Sequence, residues 1–227
     1  MKSFKKISLW VVFLGLMLVF ATPKSWGESS PQFLVSWRAQ TYVPADFKGK
    51  VMPTSGSPVE VGFEMISQGR LVNLSQNEIY WYLDDDFVKG GVGLQGIVFR
   101  PLGVGQHNLR IKLPDYQGQS LTKNVVIPTV KPEAVIVAPF PQGKFTNPKI
   151  RLKGEAYFFN VDSLGALSLN WAVNGQGAKN SGDNSFLDIS LGSPLGSGLP
   201  LNVSLNVRNP RSLLEMAGEE VLLNFSK

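Results

Sequence analysis

The side chains best suited to chemistry are four carboxylates: the run Asp84-Asp85-Asp86, and Asp115 beyond a neighbouring apolar stretch. Carboxylate oxygens are hard ligands that suit calcium. On extended backbone alternate side chains point to opposite faces, so three adjacent acids cannot all converge. Asp84, Asp86 and Asp115 are therefore the candidate calcium ligands. The run lacks the alternating D-x-D-x-D order of a calcium loop, and its other reading is a solvated acidic turn. Glycoside hydrolysis would need two carboxyls facing each other across a cleft, for which these positions are poorly suited.

His107 is the single histidine, and the chain has no cysteine. That composition removes disulfides, thiolate metal centres, cysteine nucleophiles and any ordinary zinc site, and leaves His107 a structural reading. Gly91-Val92-Gly93-Leu94-Gln95-Gly96 matches G-x-G-x-x-G in form. A dinucleotide loop must feed a helix N-terminus, whereas Ile97-Val98-Phe99-Arg100-Pro101 is β-branched, aromatic and ends in proline. It reads as a glycine-rich loop. Nothing marks a particular Ser and Lys as neighbours. No catalytic residue is assigned, no cofactor is expected, and the chain reads as noncatalytic.

The elements that must carry these residues are strands. In Val59 to Met65 apolar residues occupy every second position, and Ile150 to Phe158 shows the same alternation 91 residues later. Leu109 to Leu113 matches Val203 to Val207, and Ile79 to Asp84 matches Leu169 to Asn174, with Trp81 and Trp171 standing 90 apart. Val125-Val126-Ile127 and Val221-Leu222-Leu223 close the two series. Four matched segments in one order point to an internal duplication. Two prolines in Ile127 to Glu133 mark the boundary. The expected organisation is residues 1–27 as a leader, 28–131 as one β-sandwich and 132–227 as a second. Turn clusters such as Asp183-Asn184, Gly192-Ser193-Pro194 and Gly196-Ser197-Gly198 separate the strands.

A Trp on an early central strand, followed by a glycine-led edge and an alternating strand, resembles the immunoglobulin-like sandwiches of bacterial surface proteins, including the PKD-like group. The motifs are Trp81-Tyr82-Leu83-Asp84 with Gly105 to Ile111, and Trp171-Ala172-Val173-Asn174 with Gly198 to Val207. The core cysteine pair of antibody domains is absent. The resemblance implies an extracytoplasmic scaffold or adhesion module and no chemistry. The fold class is thus all-β, two tandem immunoglobulin-like sandwiches behind an N-terminal signal peptide or anchor.

In such a sandwich the two central strands of each half are neighbours in one sheet. With Trp81 and Leu83 inward, Tyr80 and Tyr82 point out, and Arg110 and Lys112 point away from Leu109, Ile111 and Leu113. The matching face of the second half carries Asn170, Ala172, Asn202, Ser204 and Asn206. Tyrosine and arginine suit recognition, so Tyr80, Tyr82, Arg110 and Lys112 are the partner-binding candidates, for a protein or an anionic glycan. Their other reading is cross-strand packing on a solvated sheet. Trp37 to Pro44 has no evident match in the second half and reads as an extra edge strand, or as one a partner could extend.

Lys2, Lys5 and Lys6 precede an apolar run from Ile7 to Phe20, the layout of a secretory leader. As a helix it would reach about 21 Å, short of the roughly 30 Å hydrocarbon core. Ser25-Trp26-Gly27 offers a cleavage site before Glu28, and Ala21 another; an uncleaved anchor over residues 7–22 is the alternative. Residues 1–27 hold four lysines and no acid, so removing them from 22 cations against 17 acids leaves a net charge of +1. Such a chain has no global field to steer it to nucleic acid. The sequons at Asn73, Asn202 and Asn224 matter only in a glycosylating pathway. The expected role is a noncatalytic structural or adhesive module at a bacterial surface or appendage, with an envelope protein as partner and the membrane touched only through the N-terminal segment. A glycan-binding accessory module and a two-domain periplasmic chaperone are the alternatives.

Overall fold

A computed structural model describes residues 30–178, 182–192 and 198–226. The leader or anchor expected over residues 1–27, and the turn residues 193–197, lie outside them. The chain is all-β. Its strands are β1 (Gln32–Ala39), β2 (Val59–Ser67), β3 (Arg70–Leu71), β4 (Glu78–Leu83), β5 (Asp86–Val92), β6 (Gly96–Phe99), β7 (Gly105–Tyr116) and β8 (Gln119–Thr129) in the first half. The second half has β9 (Glu133–Val137), β10 (Lys144–Phe145), β11 (Lys149–Tyr157), β12 (Ser168–Val173), β13 (Gln176–Ala178), β14 (Phe186–Ser190), β15 (Leu199–Arg208) and β16 (Met216–Phe225).

In the first half β2 pairs with β1 on one side and with β6 and the short β3 on the other, and the opposing sheet runs β5-β4-β7-β8. In the second half one sheet runs β14-β11-β9 and the other β10-β16-β15-β12-β13. The strand order is the same in both, with β10 added in parallel on the last edge. Period-two alternation lines the gap between each pair of sheets. Val59, Val61, Phe63 and Met65 of β2 meet Ile79 and Trp81 of β4 and Leu109, Ile111 and Leu113 of β7 in one buried cluster. Leu152, Ala156, Leu169, Trp171, Val203, Leu205 and Leu223 form the other. Fully burying a side chain of this size contributes about 1.5–3 kcal/mol, so these inward positions dominate stability.

The tryptophans occupy equivalent places down to their hydrogen bonds. Trp81 Nε1–H donates to Leu94 O, and Trp171 Nε1–H to Asn184 O, both at 2.9 Å. They differ in what the adjacent strand supplies. Phe63 meets Trp81 edge-to-face at 5.6 Å, whereas Gly154, at the matching place on β11, lies close under Trp171. The first half fills the space with a ring; the second closes it by bringing backbone to the indole.

The stretch Trp37 to Pro44 is not an unmatched extra. Its first part belongs to β1, paired with β2 as β9 is with β11. Beyond it, the connection 40–58 crosses to the second half. Tyr42 N–H donates to Phe159 O, and Phe158 N–H to Tyr42 O, each at 2.7 Å. Phe47 packs edge-on against Tyr157 and Phe158 at 5.7 and 5.8 Å. The chain then returns, and Val130 N–H donates to Pro53 O at 2.9 Å.

Candidate functional site

The β4–β5 hairpin closes through a two-residue turn, Asp84-Asp85, between the paired Leu83 and Asp86. Both turn residues have positive φ, 49° and 72°. A turn of this hand matches the twist of the strands but favours Asn-Gly, and Asn174-Gly175 stands at the matching place in the second half with φ of 49° and 78°. The first half therefore accepts a non-glycine residue in left-handed conformation where the second does not.

What the acids do there is local. Asp84 accepts the Asn108 N–H at 2.8 Å, as Asn174 accepts the Asn202 N–H at 2.8 Å. Its other oxygen lies 2.6 Å from His107 Nδ1. That hydrogen bond to His107, with the one from the Asn108 backbone, holds the Asp84 carboxyl below its ordinary range. His107 is buried on the inward face of β7. Asp85 pairs with Arg110 at 2.5 Å. Asp86 begins β5 exposed. Asp115 accepts the Gly118 N–H at 2.9 Å in the β7–β8 turn. It is seven residues along β7 from Asn108, about 23 Å at strand rise. Asp84, Asp86 and Asp115 are thus not brought together. Among the described residues no three His, Cys, Asp or Glu side chains group as metal ligands. The Gly91–Gly96 stretch ends β5, turns at Gly93 with φ 69°, and enters β6 with no helix after it.

The four partner-binding candidates share one sheet face. Tyr80 pairs directly with Lys112, and Tyr82 with Arg110. The Arg110 guanidinium lies over the Tyr82 ring, 4.7 Å from its centroid, while Asp85 fixes its far side. Tyr80 donates its hydroxyl to Glu78 at 2.9 Å, and the hydrogen bond to that carboxylate raises the phenol's pKa. Its ring also covers Gly90, where an added Cβ would fall 2.3 Å from Tyr80 Cδ1. Both tyrosines are half-buried by these contacts.

Sequence reasoning missed a fifth member, Phe87. It meets Tyr80 at 6.3 Å and Tyr82 at 5.7 Å, both edge-to-face, and is 62% exposed. Tyr82 pairs with Phe87 next to the Leu83–Asp86 pair of the turn, and the bulge beyond it, at Trp81/Tyr82, sets Trp81 opposite Lys89. The two-residue turn was the available signal: with Leu83 paired to Asp86, Tyr82 must face Phe87. In the second half the same face carries Asn170 beside Asn206 and Ala172 beside Ser204.

No protein-family model matches the chain, and none of the curated proteins does. Solved structures similar to it include the fibronectin(III)-like modules of CbhA from Clostridium thermocellum, at 13% identity and TM-score 0.30, over 85% of this chain and 94% of that one. Another is SGBP-B of the mixed-linkage glucan utilization locus of Bacteroides ovatus, in complex with a mixed-linkage heptasaccharide. It shows 15% identity and TM-score 0.28, with 86% of this chain covering 47% of that one. A third is the amphioxus IgVJ-C2 molecule, at 12% identity and TM-score 0.29, over 78% of this chain and all of that one. What defines the class of this protein is its own strand order and paired cores: it is an all-β protein of β-sandwich architecture.

Proposed function

We propose that the chain is a noncatalytic extracytoplasmic module of two tandem immunoglobulin-like sandwiches, residues 28–131 and 132–227, behind a leader or anchor at 1–27. It mediates protein contacts at a bacterial cell surface or appendage. The observation that carries the reading is the asymmetry of the two outer faces. Two half-exposed tyrosines, Phe87, Arg110 and Lys112 sit together on the first sandwich, against Asn, Ser and Ala on the second. Rings and guanidinium groups bring large contact area at small conformational cost, whereas amides and hydroxyls at the same positions suit plain solvation.

The glycan-binding alternative has one observation in its favour, the open ring of Phe87 beside two tyrosines. Phe87 is also the cleaner probe. Replacing Tyr80 or Tyr82 would uncover Gly90 or release Arg110, mixing folding with binding, while Phe87→Ser removes a mostly exposed ring. The test is crosslinked recovery of the protein from envelope fractions of its native host, alongside retention on isolated wall polysaccharide. A defined envelope protein recovered with wild type and lost with Phe87→Ser supports the reading. Retention on polysaccharide alone moves the assignment to the glycan class, and a partner set unchanged by Phe87→Ser removes this face from the interface.

A further inference from the structure

The turn between β15 and β16 holds apolar side chains in the open. Leu214 is 96% exposed, Leu213 78% and Met216 52%. The turn is not loose. Asn209 N–H donates to Glu215 O and Glu215 N–H to Ser212 O, each at 3.0 Å, and the Asn209 amide donates to the Glu215 carboxylate at 2.7 Å. The other carboxylate oxygen accepts the Asn160 N–H from the neighbouring turn. These bonds bury Glu215. Arg208 to Met216 thus presents two arginines and three large apolar side chains with no exposed acid of its own. The exposed acids of this end belong to other segments: Asp162 to the adjacent turn, Glu133 to the start of β9 opposite Tyr157, Asp46 to the connection that packs on Tyr157, and Glu219 to β16 beyond Gly218. The fold does not require an apolar tip, since the matching turn of the first half is Asp115 to Gly118.

We propose that this tip is a contact for an anionic lipid surface. Leu213, Leu214 and Met216 enter the boundary between headgroups and acyl chains, and Arg208 and Arg211 meet lipid phosphates. Apolar side chains at a fixed tip beside cations, with the local carboxylate turned inward, suit an interface that is apolar below and anionic above. Guanidinium forks match phosphate oxygens two at a time. The contact is separate from the Tyr80–Phe87 face and from any membrane association of residues 1–27.

The absence of cysteine makes a local test direct. Leu214→Cys in the full chain is labelled with a nitroxide and mixed with equimolar phosphatidylglycerol–phosphatidylcholine vesicles, and Leu102→Cys on the 77%-exposed Leu102 serves as the reference site. Immersion lowers access of a nickel chelate at position 214 by roughly fivefold or more and raises access of oxygen, while position 102 stays aqueous. Adding Arg208→Ser and Arg211→Ser, or using phosphatidylcholine alone, weakens the effect. A label at 214 that stays aqueous on both vesicle types overturns the proposal. Equal immersion at 102 also overturns it, because the chain would then be adsorbing through some other part.

Discussion

Gly154 sits where a single methyl group should be felt. A Cβ built there falls 2.8 Å from Trp171 Cζ2 and 2.9 Å from Leu205 Cδ2. Carbon atoms rest at about 3.5–4.0 Å, so both contacts are deep in the repulsive range. Neither neighbour is free to retreat: Leu205 is fully buried, and the indole is tethered through Nε1–H to Asn184 O. Overpacking of this kind costs about 1–3 kcal/mol. Against it, Gly→Ala removes freedom from the unfolded chain and stabilises by about 0.4–1 kcal/mol. The steric term wins, leaving Gly154→Ala destabilised by about 1–2 kcal/mol. For a sandwich of this size each kcal/mol shifts Tm by roughly 4–8 °C, so a fall of about 5–15 °C is expected by scanning calorimetry. Gly177→Ala is the control, because a Cβ there meets nothing within 4 Å and Gly177 lies on the edge strand β13. It should melt at or above the wild-type temperature. If Gly154→Ala does the same, backbone packing against Trp171 is not what closes the second core.

Other expectations test the junction and the turns. Phe47→Ala removes two edge-on ring contacts to the second half and should cost about 1–3 kcal/mol, while splitting one calorimetric transition into two. Tyr157 donates to Glu155, which pushes its phenol up to about 12. A phenol raised in the folded state favours folding until the unfolded chain ionises, so wild-type stability should decline as pH rises from about 10 toward that value. Tyr157→Phe should flatten the decline in alkaline denaturation. Asp84 has the opposite sign: its depressed carboxyl stabilises above the unfolded value near 3.9, and that stability is lost as pH falls through the folded value. Asp84→Asn keeps the bond to Asn108 N–H, as Asn174 does for Asn202, and should show a shallower acid unfolding curve.

The alternating segments were legible because a half-buried strand writes its two faces into the sequence at period two. Val59 to Met65, Leu109 to Leu113 and the Trp81–Trp171 pair are read from spacing alone. What sequence did not disclose depends on registration between distant residues. Tyr42 and Phe47 have no local signal for their role, since the backbone and rings they meet lie more than a hundred residues later. The candidate calcium ligands failed to meet for the same reason: adjacency to one strand says nothing about position along it, and Asp115 is at its far end. The short β9 hid the counterpart of β1, because five residues of Glu133 to Val137 show too few alternations to match eight.

The connection 40–58 changes what the boundary at Val130 to Pro132 means. The polypeptide passes between the halves there once by covalent bond, and the earlier excursion through Tyr42 and Phe47 grips the second half by hydrogen bonds and rings. A protease nick at Lys131 would sever the covalent join without parting the pieces, which should elute together until denatured. During synthesis the order reverses: the segment 40–58 emerges long before Tyr157 to Phe159 exist, so it first settles on its own half, with Lys50 over the Trp37 ring and Gly56 N–H donating to Pro101 O, and the grip of Tyr42 and Phe47 forms only once the second half is made.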